Sequence, residues 1–256
     1  MSSAWQVASR SSRGGRPYQE DDCAVTTIRN DGGGDAVLAV LADGMGGHAG
    51  GAVASDVATR SFVEAFRGEQ GDTGDRLKSA LTAANEAIAD RAGRDTALTG
   101  MGCTLVGLVA GAERLDWISV GDSPLWLFSG GALRQLNEDH SMTPLLQARV
   151  ERGELTAAAA ASHPARNALR SAVVGEDIPL VDLAFMAHRP RRGDVVVLAS
   201  DGLCSLDDDA ISEILSDNAT VDADALAAAL IEAVDALNRP EQDNTTVVVL
   251  RSLAER

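Results

Sequence analysis

The sequence predicts an α+β fold: a four-layer α-β-β-α sandwich in which two antiparallel sheets pack face to face between helices. Strands and helices occur in blocks instead of alternating, which argues against the helical crossovers that a parallel sheet requires. Most predicted strands are apolar at successive positions, which indicates that both of their faces are buried. Antiparallel sheets of this kind stack on one another and leave the helices outside.

The individual elements follow from short apolar runs and from helical periodicity. Six runs rich in Val, Leu and Ile predict strands at Ala36–Ala42, Cys103–Ala110, Leu115–Val120, Leu125–Phe128, Val195–Ala199 and Thr245–Leu250. Apolar residues at helical spacing predict three amphipathic helices, at Ala54–Ala65, Leu77–Ile88 and Leu226–Leu237. The first two helices are consecutive. Between Cys103 and Leu136 four strands joined by Gly-rich turns predict an antiparallel meander.

Residues 141–175 interrupt this pattern. They are Ala-rich, carry breakers at Gly153 and at His163-Pro164, and contain no strand signal. We therefore predict a mostly helical insertion on the sandwich. Because the chain shows no internal repeat and no linker, residues 1–256 are predicted to form one domain.

The charge balance limits the classes of partner. Lys and Arg number 22 and Asp and Glu number 38, a net charge of −16 that opposes binding to nucleic acid or anionic membranes and suits divalent cations. The odd number and wide spacing of Cys23, Cys103 and Cys204 exclude a disulfide framework and a thiolate zinc site. With no signal peptide and no apolar run near the roughly 18 residues needed to span a bilayer, a cytoplasmic protein is expected.

Aspartates stand at the ends of four predicted strands: Asp43, Asp122, Asp201 and Asp243. Taken singly, each fits a turn or a helix N-cap. However, Asp43-Gly44 and Asp201-Gly202 do not lead into a second strand, so a hairpin does not explain them. Further carboxylates lie near the start, at Glu20, Asp21 and Asp22. Carboxylates gathered at one edge repel each other unless a cation lies among them, and hard oxygen ligands select Mg²⁺ or Mn²⁺.

The Gly-rich stretch from Asp43 to Gly51 also permits a nucleotide-binding loop. A dinucleotide fold needs a strand after the helix, but here a second helix follows, and no Walker-type Gly-Lys-Ser/Thr occurs. A serine hydrolase is disfavoured because no G-x-S-x-G elbow occurs. A metal site is the better interpretation.

Seven motifs, in this order, give the chain a family resemblance. They are GRPYQEDD (15–22), LADGMGGHAGG (41–51), GCT (102–104), VGDS (120–123), EDHS (138–141), GDVVVLASDGL (193–203) and QDNTTVVV (242–249). This series resembles the metal-dependent serine/threonine protein phosphatases of type 2C, in their compact bacterial form. The resemblance covers nearly the whole chain. It implies the same sandwich, a dinuclear Mg²⁺ or Mn²⁺ centre at one edge of the sheets, and a flap beside it.

The resemblance also assigns roles to particular positions. It makes Asp43 the carboxylate that bridges two metals, with the Gly44 carbonyl, Asp201, Asp243 and Asp21 as further ligands. Glu20 would act through water, and Asp122 would belong to a third, weaker metal site. Arg16 would hold the substrate phosphate. His48 is the candidate general acid by its position in the loop, although related proteins place a histidine where this chain has Met45.

The expected reaction is hydrolysis of phosphoserine or phosphothreonine in proteins by a metal-bridged water, without a phosphoenzyme. The expected partners are phosphoproteins, the substrates of a bacterial serine/threonine kinase, and the chain is expected to be a monomer. The alternative is a module of the same fold that has lost catalysis and senses metal or a partner protein. The filled ligand positions favour the enzyme.

Overall fold

The computed structural model describes residues 4–29, 34–46 and 49–254, and in these residues eleven strands and six α-helices are found. The strands in chain order are β1 (Trp5–Ser12), β2 (Asp21–Arg29), β3 (Asp35–Met45), β4 (Gly102–Cys103), β5 (Leu105–Ala110), β6 (Arg114–Val120), β7 (Leu125–Ser129), β8 (Ala132–Gln135), β9 (Asp182–Ala187), β10 (Val195–Ala199) and β11 (Thr245–Ser252). The helices are α1 (Ala49–Gly68), α2 (Thr73–Arg94), α3 (Thr143–Glu151), α4 (Ala157–Ala161), α5 (Asp208–Asp217) and α6 (Ala223–Ala236).

The strands form two sheets. One has the order β1-β11-β10-β7-β8, and the other has the order β2-β3-β5-β6-β9 with β4 paired to β3. All of these strand pairs are antiparallel, which confirms the prediction of two antiparallel sheets. Sequence neighbours such as β2 and β3 pair directly, whereas β1 and β11 join the two ends of the chain.

The continuous apolar runs are explained by the layers on either side of each central strand. Successive side chains of a strand point to opposite faces. On β3, Leu38 and Val40 pack in a cluster with α1 and α2, whereas Ala39 and Leu41 pack between the two sheets. Residues of β10 alternate in the same way between the space against α5 and α6 and the space between the sheets. Both faces are dry, as the predicted four layers require.

The predicted meander between Cys103 and Leu136 is wrong in one respect: it is not one continuous sheet. β5 pairs with β6 in one sheet and β7 pairs with β8 in the other, so the chain crosses between sheets after Val120. Gly121 makes the crossing with φ +102°, and a Cβ there would lie 2.6 Å from Thr104 Cγ2. Glycine is required by both the dihedral angle and the space. The crossing carries Asp122 to the edge of the sandwich.

The three predicted amphipathic helices are confirmed as α1, α2 and α6. Because α1 leads into α2 and not into a strand, the Gly-rich stretch does not open a βαβ unit. The sequence pattern missed α5, which begins after Asp207, whose side chain accepts a hydrogen bond from Ala210 N at 2.8 Å. Of the helices in the described part of the chain, none is both long and apolar enough to cross a membrane.

The segment 141–175 differs from its prediction as a mostly helical insertion. Its helices α3 and α4 hold fewer than half of its residues, and turns and isolated bridges occupy most of the rest. Gly153 ends the first helical stretch with φ +72°. Backbone bridges tie the segment to the sandwich and to itself, between Cys103 and Val173 and between Ser141 and Leu169.

Candidate functional site

Two of the predicted ligands face each other across one strand pair. Asp21 is the first residue of β2, and its partner in the antiparallel register is Asp43, near the end of β3. Like charges directly opposite each other destabilise a sheet. Two carboxylates at this position therefore indicate a function other than stability.

The other sheet contributes two more carboxylates at the same edge. β10 ends at Ala199, and Asp201 begins a short 3₁₀ helix two residues later. β11 pairs antiparallel with β10 and begins at Thr245, so the chain just before β11, which holds Asp243, lies beside the end of β10. The two strand ends bring Asp201 and Asp243 together, as the positions of the aspartates in the sequence predicted.

These elements enclose a cleft of about 700 Å³ at the edge of the sandwich. Its walls combine residues of both sheets and of the segment 141–175. Seven of the predicted site residues line it: Arg16, Glu20, Asp43, Gly44, Asp122, Asp201 and Asp243. The eighth, Asp21, is 8% exposed beside Asp43. His48 lies outside the described residues.

Burial and the charges of neighbouring carboxylates raise the pKa values of the aspartates in the cleft. Burial raises the pKa of Asp21 to about 6, and the charges of Asp201 and Asp243 add to the rise. Burial raises the pKa of Asp201 to about 6 and that of Asp122 to about 7. The pKa of Asp43 lies well above its usual value, first through burial and then through the charges of Asp21 and Asp201. A cation among these groups would favour their charged forms.

The donor set fits a hard divalent cation. The converging groups are carboxylate and carbonyl oxygens, which suit Mg²⁺ and Mn²⁺. Asp21 Oδ1 is buried and has no hydrogen-bond partner in the described residues, so this oxygen is available for a cation. The fit is not complete as the side chains stand, because no group of three or more His, Cys, Asp or Glu among residues 4–29, 34–46 and 49–254 is arranged to hold a metal ion.

Gly44 reaches its place only because it has no side chain. A Cβ at this position would lie 2.2 Å from the Gly51 carbonyl oxygen and 2.4 Å from that of Glu20. The Gly44 N–H donates to the same Glu20 carbonyl at 3.0 Å. This close contact fixes the Gly44 peptide in the wall of the cleft beside Asp43.

Arg16 lies at the mouth of the cleft. Its Nη2 donates to Asp243 Oδ2 at 2.6 Å, and both side chains are about half exposed, at 48% and 40%. A guanidinium held in this way keeps further N–H donors available to a ligand. The contact places Arg16 beside Asp243, within the wall of the cleft.

Sequence reasoning missed three polar side chains at the site. Thr104 lines the cleft, and its Oγ1 accepts the Asp43 N–H at 3.1 Å and contacts Ser123 Oγ at 2.6 Å. Arg170 lines the opposite wall, where its Nε donates to the Ser141 carbonyl at 2.8 Å. A signal for Thr104 existed, since it belongs to one of the seven motifs. No such signal marked Arg170.

The third missed residue, Ser200, is buried between the two sheets. Its Oγ donates to Asp21 Oδ2 at 2.8 Å and accepts the Thr246 N–H at 2.9 Å. This hydroxyl lowers the pKa of Asp21 against the effect of burial. Ser200 therefore links β10, β11 and the carboxylate of β2 at one point.

Replacing Ser200 with Ala is expected to destabilise the protein. The Thr246 N–H then loses one buried acceptor and the Asp21 carboxylate loses one donor, so the free energy of unfolding should fall by about 1–3 kcal/mol. Urea denaturation measures this change. Ser216→Ala is the matched control, because the exposed Ser216 hydroxyl donates only within α5 and its removal should cost less than about 0.5 kcal/mol. Equal losses in the two variants would contradict the role of Ser200.

The fold and the site together define the class of protein: a sandwich of two sheets with an acidic cleft at its edge. A family model described as Protein phosphatase 2C matches residues 10–247, which include the aspartates of the cleft. The chain belongs to the protein phosphatase 2C family. The resemblance seen in its motifs is therefore confirmed.

Individual relatives agree with this assignment. The serine/threonine protein phosphatase PstP of Mycobacterium tuberculosis is 34% identical over 246 residues, which are 95% of this chain and 44% of PstP. The chain thus spans less than half the length of the first curated relatives that it matches. The serine/threonine phosphatase stp of Listeria innocua is 32% identical over 192 residues, 72% of this chain and 73% of stp.

Solved structures share the fold. The crystal structure of the PstP catalytic domain in complex with two manganese ions has a TM-score of 0.76 to this chain at 32% identity. The superposition covers 98% of this chain and 99% of the PstP chain in that structure. A second PstP crystal structure, from Mycobacterium tuberculosis, gives a TM-score of 0.79 at 33% identity over 97% of this chain and 98% of that chain.

Proposed function

We propose that this protein is a metal-dependent phosphatase that hydrolyses phosphoserine and phosphothreonine in proteins. One observation carries the proposal: four aspartates from four segments of the chain and from both sheets line one cleft, with Arg16 at its mouth. These aspartates are Asp43, Asp122, Asp201 and Asp243. Membership of the protein phosphatase 2C family supports the same activity, as does the naming of PstP and stp as serine/threonine phosphatases.

Two Mn²⁺ or Mg²⁺ ions are the proposed cofactors, held by Asp21, Asp43, Asp201, Asp243 and the Gly44 carbonyl. Asp122 is the proposed ligand of a third ion, with Glu20 acting through water. When bound, the metal pair activates water for attack and offsets the charge of the phosphate. The manganese complex of the PstP catalytic domain supports this choice of ions.

The side chains of the cleft have separate tasks in this proposal. The aspartates supply the negative charge that retains the cations. Arg16, oriented by Asp243, receives the phosphate through two parallel N–H donors. Thr104 Oγ1 accepts the Asp43 N–H and so holds the backbone of Asp43 in place. Because the reaction needs no protein nucleophile, Cys103, which is buried in β4, takes no part.

His48 remains the proposed general acid for a serine or threonine leaving group. This assignment depends on its position in the loop of the sequence alone, since His48 lies outside the described residues. A phosphoserine leaves as a poor alkoxide and profits from a proton, whereas nitrophenolate departs unaided.

Replacing Arg16 with Lys is expected to lower kcat/KM for phosphate esters by about tenfold, mainly by raising KM, because an ammonium cannot reproduce the planar two-bond contact. Steady-state kinetics on a phosphoserine peptide and on p-nitrophenyl phosphate measure this effect. Arg10→Lys is the control, since Arg10 pairs with Asp224 in an exposed ion pair outside the cleft. Unchanged kinetics in Arg16→Lys would remove Arg16 from the proposed site.

Hydrolysis of p-nitrophenyl phosphate and of phosphoserine peptides, with and without Mn²⁺, tests the function itself. Metal-dependent release of phosphate from both substrates is the expected result. The competing hypothesis is a catalytically inactive member of the family that binds metal or a partner protein. Tight binding of Mn²⁺ without turnover of either substrate would favour that hypothesis.

The setting is also a proposal. Phosphoproteins made by a bacterial serine/threonine kinase are the proposed substrates, and a single catalytic domain with a flap at residues 141–175 acts on them as a monomer in the cytoplasm. The net charge of −16 supports a monomer that does not bind nucleic acid, because copies of the chain repel one another.

A further inference from the structure

A second groove lies beside the cleft, on the other side of one loop. It has a volume of about 550 Å³ and runs between α2, β6 and the chain leading into β9. It is lined by five aliphatic side chains, with polar groups around them. The aliphatic residues are Leu81, Ile118, Ile178, Val181 and Leu183, and the charged ones are Lys78, Glu86, Glu176 and Asp177. We call it the α2 groove.

The α2 groove has the composition of a binding surface for an apolar side chain. Leu81 and Ile118 are buried in its floor, whereas Val181 is 44% exposed at its side. Ile178 and Leu183 are partly buried and pack against the core cluster that contains residues of α1 and α2. Concave aliphatic surfaces edged by a few polar groups are typical of ligand sites.

One loop, residues 171–180, separates the α2 groove from the cleft. Asp177 lines both spaces, so they meet at this residue. On the cleft side the loop presents Ser171, Ala172, Val174 and Pro179. On the groove side it presents Glu176 and Ile178. A chain that leaves the cleft over Asp177 enters the groove.

The loop is held in place at three points. Val173 exchanges two backbone hydrogen bonds with Cys103, at 2.9 and 3.0 Å. Ser171 Oγ donates to the Leu180 carbonyl at 2.7 Å and accepts the Leu180 N–H at 3.1 Å. Gly175 and Glu176 are bound by Asn85 of α2 at 2.8 and 2.7 Å. The groove is therefore formed in advance of any ligand, which lowers the entropic cost of binding.

Gly175 permits the loop to contact α2 so closely. Its φ is +82°, and a Cβ at this position would lie 2.7 Å from the Ala89 Cα. A side chain there would push the loop off the helix and open the groove.

We infer that the α2 groove binds a segment of the phosphoprotein substrate itself, an extended stretch on one side of the phosphorylated residue that carries an aliphatic side chain next to a Lys or Arg. This inference rests on the proposed phosphatase function. Continuity with the cleft is the first argument, because a substrate already held at its phosphate presents its neighbouring residues at high effective concentration. The charge of the groove is the second.

Three carboxylates, those of Glu86, Glu176 and Asp177, and one ammonium, that of Lys78, surround the aliphatic floor. This balance favours a basic residue in the occupant. It opposes a second copy of this chain, whose net charge is −16.

The experiment uses phosphoserine peptides in which one Leu-Lys pair moves one position at a time along an otherwise small and neutral sequence. An extended chain advances about 3.3 Å per residue, so the preference should be confined to one spacing from the phosphoserine. At that spacing KM should fall about tenfold relative to the peptide without the pair. Fluorescence anisotropy of the labelled peptides gives Kd. The measurement is made in Ca²⁺, which should support turnover less well than Mn²⁺, so that binding is measured separately from hydrolysis.

Val181→Asn should weaken the preference, because it removes an aliphatic contact without adding a carboxylate that attracts the Lys of the peptide. It should leave kcat/KM for p-nitrophenyl phosphate unchanged, because that small ester reaches only the cleft. Val25→Asn is the matched control, since Val25 on β2 is also exposed, at 42% against 44%. Glu86→Lys should weaken binding of the Leu-Lys peptide at the preferred spacing, whereas Glu64→Lys on α1 should not.

Equal KM and Kd at every spacing would overturn the inference, as would an undiminished preference in Val181→Asn or an equal loss in Val25→Asn. Concentration-dependent dimerisation in analytical ultracentrifugation that Val181→Asn removes would identify a second copy as the occupant and would also overturn it. No turnover of p-nitrophenyl phosphate in Mn²⁺ would contradict the proposed function instead, and the anisotropy would still decide whether the groove binds the peptide.

Discussion

Replacing Asp43 with Ala should reduce turnover of both p-nitrophenyl phosphate and phosphoserine peptides by more than about 10²-fold. Loss of a group that only orients a metal ligand costs about 10- to 100-fold, so loss of the proposed bridging ligand should cost more. The fold should remain, because the charged form of Asp43 is unfavourable in this cluster: burial first, and then the charges of Asp21 and Asp201, raise its pKa well above the usual value. Removing one carboxylate from that cluster relieves repulsion.

Steady-state kinetics, far-UV circular dichroism and urea denaturation together test this expectation. Asp90→Ala is the matched control, because Asp90 on α2 is exposed and pairs only weakly with Arg94, at 3.5 Å. It should leave both activity and the free energy of unfolding unchanged. A loss of helical signal or of stability in Asp43→Ala would instead show that Asp43 is needed for folding.

How much of this site the sequence could predict depends on where its residues stand in the strands. Asp43 and Asp201 follow continuous apolar runs, and such runs mark strands that are buried on both faces. The ends of those strands are therefore visible in the sequence, and so are the aspartates that follow them. The seven motifs then gave each aspartate a proposed role.

Other features depend on contacts that no local pattern contains. The register that sets Asp21 opposite Asp43 is formed by β2, an edge strand with mixed polar and apolar residues that gave no clear strand signal. Ser200 acts on Asp21 from 179 positions along the chain. Nothing in the spacing of either residue indicates the contact.

The crossing between sheets after Val120 was missed for a related reason. The runs on either side of Gly121 are equally apolar, and a hairpin and a crossing both use glycine at such a bend. Only the pairing of β7 with β10 distinguishes a crossing from a hairpin at this position. The same holds for the α2 groove, which combines residues of α2, β6 and the loop before β9.

Removal of divalent metal should have the other large effect. In EDTA, turnover of p-nitrophenyl phosphate should fall to background, and Mn²⁺ should restore it better than Ca²⁺, which prefers longer and more numerous oxygen contacts. Metal binding can also be measured without catalysis, through the free energy of unfolding. Ligands that bind only the folded state stabilise it, by about 2.7 kcal/mol at 100 times Kd, so Mn²⁺ should also raise the free energy of unfolding.

The stoichiometry of this binding tests the individual ligands. Calorimetry should find at least two Mn²⁺ sites in the wild-type chain and in Asp122→Ala, because Asp122 is the proposed ligand of a separate, weaker ion. It should find fewer in Asp43→Ala, where the carboxylate between the two proposed sites is missing. The buried Asp21 Oδ1, which lacks a hydrogen-bond partner in the described residues, gives the physical reason for a stabilising effect, since a cation would supply the missing contact. Undiminished turnover in EDTA would contradict the two-metal mechanism, and loss of both main sites in Asp122→Ala would contradict the assignment of Asp122.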